Sequence, residues 1–165
     1  MAAVRIAAHA VGYPSIALAT VLQFELWMRQ KDVVGECEPA DDVDQGGITY
    51  KKTRWMKGLL WSHINVKMVL RKSHTKTGFA VEHDLKLHPA VLEEIERGNR
   101  EANLPVIISK ATGAPYKNRK FPERWRKFAE QGRQGNKALS YLLLIDKAVR
   151  ETLLSDYFSC ARCRK

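Results

Sequence analysis

Two short stretches hold side chains whose types and spacing suit phosphate chemistry. In "FELWMRQKDVVGE" Arg29 stands three residues before Asp32, and in "SHTKTGFAVEHDL" Lys76 stands between two threonines just ahead of Gly78. A guanidinium fork matches two phosphate oxygens at once, and a carboxylate one helical turn away could orient it. A lysine at a turn can donate to a phosphate or deliver a proton to a leaving oxygen. Each pattern also has a plainer reading: a surface i,i+3 ion pair worth a few tenths of ~1 kcal/mol for Arg29 and Asp32, and a solvated turn lysine for Lys76.

A third stretch adds charge. From Lys110 to Lys137 nine basic residues face only Glu123 and Glu130, and Tyr116, Phe121 and Trp125 are interleaved among them. Basic residues with aromatics between them suit a surface that tracks a nucleic-acid backbone, or else a solvated face over a Trp/Phe core contact. The chain as a whole carries 28 Lys and Arg against 18 Asp and Glu, a net charge of +10 that favours a polyanionic partner. Its acidic residues gather elsewhere, in "ECEPADDVD" at 36 to 44.

Other chemistries lack their residues. The five histidines, His9, His63, His74, His83 and His88, have no metal-binding spacing, and most are expected on the surface or in turns. Cys160 and Cys163 form a single CxxC without a second half, so neither a zinc site nor a disulfide framework is expected. There is no P-loop, GxSxG or GxGxxG. No cofactor is expected.

The elements that must position these residues follow from periodicity. Ser15 can cap one helix running from about 15 to 34, with Gly35 as its stop. The acidic segment from 36 to 47 reads as a loop. Val66 to Arg71 and Phe79 to Leu85 alternate on either side of "KSHTKTG", which predicts a β-hairpin with a cationic turn. Pro89 opens a helix that Gly98 ends, with Glu93 and Glu94 on its exposed face. A short buried strand over 105 to 109 and a helix with Phe121, Trp125 and Phe128 on one side follow. Last comes the apolar, periodic "KALSYLLLIDKAVRETLL".

This order predicts an α+β fold, helices packed around a small antiparallel hairpin or sheet. The expected divisions are an N-terminal tail over 1–14, a main unit over 15–133 and a divergent helix and tail over 134–165. The apolar N-terminus is interrupted by His9, Gly12 and Pro14, which argues against a signal peptide or membrane anchor. A cytoplasmic protein with no membrane partner is expected.

Taken in order, these pieces resemble part of the catalytic domain of the tyrosine recombinases, the phage-integrase family. "ALATVLQFELWMRQKDVVGE" is similar to the family helix with its first active-site arginine in an R-x-x-[ED] setting, here Arg29 with Asp32. "GLLWSHINVKMVLRKSHTKTGFAVEHDLKLHPAVLEEI" resembles the tryptophan-containing approach and the hairpin whose "KT" turn bears the catalytic lysine, here Lys76. "LPVIISKATGAPYKNRKFPERWRKFAEQG" looks like the family's strand, "TG-x-P" turn and following helix.

The resemblance implies double-stranded DNA as partner and strand cleavage and rejoining through a phosphotyrosine, without a metal. It assigns catalytic roles to Arg29 and Lys76. DNA contacts are expected from Lys72, Thr75 and Thr77 around the turn and from Arg119, Lys120, Arg124 and Arg126 on the basic stretch. Two departures weigh against full activity. Three residues past the histidines stand Gly12, Val66, Thr77, Lys86 and Val91, so the family's H-x-x-R is missing. Beyond the likeness only Tyr141, on the apolar helix, and Tyr157, in "SDYFSC", remain as nucleophiles, and neither has the family's context. The expectation is a truncated or catalytically incomplete integrase-like DNA-binding protein. The alternative is a non-catalytic regulatory or interaction protein that associates, with itself or a partner subunit, through the C-terminal apolar helix.

Overall fold

A computed structural model of the chain describes residues 1–40, 46–98 and 100–135. The C-terminal apolar helix, Tyr141, Tyr157, Cys160 and Cys163 lie outside the described residues.

At the centre is α2 (Pro14–Glu25), in which every residue from Ile16 to Leu22 is buried. Pro14 occupies a first-turn position, where its missing N–H costs no hydrogen bond. A helix apolar all round must be covered all round. The covers are α1 (Ala2–Ala10), α4 (Pro89–Glu96) and a helix over 120–135, here α5. From α5, Phe121 and Phe128 enter the core, and the indole N–H of Trp125 donates to Thr20 Oγ1 of α2 at 3.1 Å. Phe128 also meets Tyr13, just ahead of α2, with ring centroids 5.6 Å apart. The one-sided aromatic face expected of this helix is therefore in place.

The first fourteen residues are not the expected tail. Residues 2 to 10 form α1, which seals one flank of α2 with Val4 and Ala8. It is also pinned to α4 by charge. Arg5 Nε donates to Glu94 at 2.8 Å, Arg5 Nη2 to Glu93 at 2.7 Å, and His9 Nε2 to Glu94 at 2.8 Å. Glu94 is thus buried, contrary to the exposed face expected for it, because the Arg5 guanidinium and the His9 ring of α1 supply the hydrogen bonds its carboxylate needs there.

A single helix over 15 to 34 is not formed either. The backbone leaves helical geometry after Glu25, passes Trp27 at φ +53°, and resumes as α3 (Gln30–Val34). Leu26 and Met28 on either side of Trp27 are both buried, while Trp27 between them is exposed. Gly35, at φ +80°, ends α3 as expected.

The segment after Gly35 was expected to be a loop, yet it contains β1 (Glu36–Pro39). This strand pairs antiparallel with β3 (Thr53–Met56), whose other edge carries β2 (Ile48–Tyr50). Trp55 of β3 explains the docking: its indole N–H donates to Val34 O at 2.9 Å. A Cβ on Gly35 or on Gly58 would overlap that ring, so only glycine fits at both places. Asn118 fastens β1 from the other side, accepting from Cys37 N at 2.8 Å and donating to Cys37 O at 3.1 Å.

The predicted hairpin is present as β4 (Val69–Ser73) and β5 (Ala80–Asp84), with Arg71 opposite Glu82 and Ser73 opposite Ala80. The buried segment expected over 105–109 contributes β6 (Ile108–Ser109), paired with β7 (Ala114–Pro115). The fold is α+β: helices with small antiparallel sheets. No helix among the described residues is long and apolar enough to cross a membrane.

Candidate nucleic-acid interface

The site is assembled by one carboxylate. Asp32, on α3, is only 1% exposed. Its Oδ1 accepts the Thr75 backbone N–H at 2.8 Å, and its Oδ2 accepts from His74 Nδ1 at 3.0 Å. Burial works against the charged form of Asp32. The Thr75 hydroxyl and amide and the His74 ring outweigh that penalty and hold the carboxyl below its ordinary range. An ionised carboxylate only accepts, so His74 uses its Nδ1–H here.

Asp32 thereby fastens the hairpin turn to the start of α3. The Asp32 amide donates to Arg29 O at 3.0 Å, so Arg29 and Thr75 both contact Asp32 through their backbones. Lys76 is the next residue. The turn has its own braces: His74 N to Phe79 O and Gly78 N to His74 O, both 2.8 Å, with Gly78 at φ +68°. The Phe79 amide also donates to Thr77 Oγ1, at 3.4 Å. Arg29 and Lys76 are exposed. Neither forms an ion pair with another described residue, whereas Lys31 is held by Glu36 at 2.8 Å and Arg71 by Glu82 at 2.8 Å.

The remaining expected contact residues divide by what already occupies them. Thr75 is spent on Asp32. Lys72 is partly buried and donates to Gly58 O at 2.8 Å; burial lowers its pKa, with the nearby Asp32 charge acting against that shift. It lines an open cleft of about 480 Å³ along the hairpin together with His63. His63 Nδ1 accepts the Leu60 amide at 3.0 Å, and burial, then the Lys72 charge, push this ring below its usual value. On α5, Lys120 pairs with Glu123 at 3.0 Å, and the Arg124 guanidinium lies 4.4 Å from the Tyr13 ring centroid. Arg119 and Arg126 are exposed. Tyr116 sits inside, its hydroxyl 3.1 Å from Ser15 Oγ and its pKa raised by burial, which makes it core rather than surface.

One residue of the site, His74, was not singled out from the sequence. His74 read as an ordinary turn histidine, because its partner is 42 positions away. Trp27, 88% exposed, was absorbed into a continuous helix. Among the described residues no cluster of histidine, cysteine and acidic side chains is arranged to hold a metal ion. Compared with protein-family models, with curated proteins and with solved structures, the chain matches none.

Proposed function

We propose that this chain is a DNA-binding protein built on the tyrosine-recombinase plan and catalytically incomplete. Arg29 and Lys76 would grip one backbone phosphate, while Arg119 and Arg126 extend the contact along the strand. The observation that carries the reading is the buried Asp32, whose carboxylate accepts the amide of Thr75, next to Lys76, and whose own amide donates to Arg29 O. A desolvated carboxylate is costly, and in this reading it serves to bring the Lys76 turn beside Arg29, where neither cation forms an ion pair with another described residue. The positive balance of the whole chain supports the same partner.

Strand cleavage would need a second arginine and a placed tyrosine, and the chain has no H-x-x-R to supply the first. Binding without cleavage is the expected behaviour. The test is fluorescence anisotropy on a labelled duplex across a salt series, together with a denaturing gel after incubation with nicked DNA. Affinity should fall steeply with salt, and Arg29→Ala and Lys76→Ala should each reduce the slope of log K against log salt by about 0.9. A salt-independent signal would refute DNA as the partner. A covalent adduct on the gel would refute the incomplete chemistry.

A further inference from the structure

Trp27 is the most exposed aromatic side chain among the described residues. It is 88% exposed, between the buried Leu26 and Met28, and its backbone lies at φ +53°, a region that glycine occupies without strain and tryptophan does not. The turn at Trp27 leads the chain from α2 into α3 with Leu26 and Met28 buried, but the exposed indole takes no part in that packing. Positive φ alone does not single it out, since Lys51, Lys57 and Met68 share it; the exposed aromatic face does, because it offers a surface on which a ligand can stack. Its place in the chain says which ligand: Trp27 is two residues before Arg29, in the break between α2 and α3. Phe24, 53% exposed, is on the last turn of α2 just before it.

We propose that Trp27 stacks on a nucleobase next to the phosphate held by Arg29 and Lys76, and that the chain therefore prefers DNA with an open stack, at a nick or an unpaired base, over intact duplex. This rests on the DNA-binding reading above and adds to it the form of DNA recognised. The backbone phosphates flanking an open stack are the same diesters as in an intact strand, so contacts to them give little preference for either. An aromatic face distinguishes the two: in an intact duplex each base is covered by its neighbours, and only a break in the stack leaves a face free. The surrounding charge is complementary, with Arg29 and the Lys76 turn at hand to hold the backbone while the indole meets the base.

The experiment is acrylamide quenching of tryptophan fluorescence in the full chain, with and without DNA. The chain has four tryptophans; Trp55 and Trp61 are buried, and Trp125 is packed on the core. Quenching therefore reports chiefly on Trp27. Nicked duplex should protect it, and Trp27→Gly should weaken binding to nicked DNA by about tenfold, within the range of one lost stack. Binding of Trp27→Gly to intact duplex and its salt slope should stay unchanged, because no charge is removed. The same variant should melt about 2 °C higher, since glycine relieves the positive φ, so weaker binding cannot be put down to misfolding. Trp27→Phe should keep most of the preference for nicked DNA.

Salt-sensitive DNA binding that leaves Trp27 fully quenchable would overturn the stacking inference and leave the DNA reading standing. Absence of DNA binding by the unmodified chain would overturn both. Protection that grows with protein concentration in the absence of DNA would also overturn the inference, assigning Trp27 to contact between copies.

Discussion

Replacing Asp32 with alanine separates position from charge. The substitution removes a negative charge from a protein at +10, so if net charge alone governed DNA affinity, binding would tighten. The structure predicts the reverse. Without the carboxylate, the Thr75 amide and His74 Nδ1 lose their acceptor, and the turn bearing Lys76 is no longer fastened to α3. Two hydrogen bonds to a charged group are worth about 3 kcal/mol together, which for a chain of this size corresponds to a melting point lower by about 6–12 °C. On binding DNA the freed turn must be reordered, and fixing even one residue costs about 1–2 kcal/mol, a rise in Kd of roughly tenfold. If the Lys76 contact is lost outright, the salt slope also falls by about 0.9. The assay is anisotropy on the same labelled duplex at a temperature where circular dichroism shows the variant folded. A folded Asp32→Ala protein that binds as tightly as the parent, or more tightly, with an unchanged salt slope would refute the positional argument.

Glu94→Gln should lower the melting point by about 4–8 °C, since a neutral amide cannot satisfy both Arg5 and His9 and part of a buried pair is lost; scanning calorimetry measures this, and faster amide exchange in α1 should accompany it. Gly35→Ala should destabilise more severely, because the new Cβ overlaps the Trp55 indole and the backbone stays at positive φ; denaturant titration should show the midpoint falling without a smaller slope. Acid should loosen the Asp32 clamp and the Glu36 ion pairs together. Both carboxyls have lowered pKa values in the fold. For Asp32 this is despite burial and owing to Thr75 and His74; for Glu36 it comes from Lys31 and then Lys57. Their contribution is complete above about pH 5, starts to fall as pH enters the ordinary carboxylate range, and is lost as pH falls through the lowered folded values. A melting point that stays flat down to about pH 3 would contradict this.

Much of this molecule was legible along the chain. The alternation around "KSHTKTG" gave the β4–β5 hairpin, Pro89 the start of α4, Gly35 the end of α3, and Phe121, Trp125 and Phe128 the inner face of α5. These are local signals: period, φ preference and capping act within a few residues, so they can be read from order alone. The spacing of Arg29 and Asp32 drew attention to Asp32 as a neighbour of Arg29, and nothing in it points to His74 and Thr75, from which the carboxylate accepts.

What the tertiary structure decided involves residues far apart in the sequence. Nothing between Phe24 and Asp32 forbids a helix, yet the chain leaves helical geometry after Glu25 and buries both Leu26 and Met28 around an exposed Trp27. The segment after Gly35 becomes a strand because β3 brings Trp55 onto Val34 and Gly35. Glu94 goes inside because α1 supplies Arg5 and His9 from some 85 positions away. Asp32 turns to the hairpin because His74 and Thr75, more than 40 positions on, offer donors in a dry setting, where a buried carboxylate must find hydrogen bonds. Desolvation costs of this kind depend on what the rest of the fold brings into contact, and the order of residues alone does not encode that contact locally.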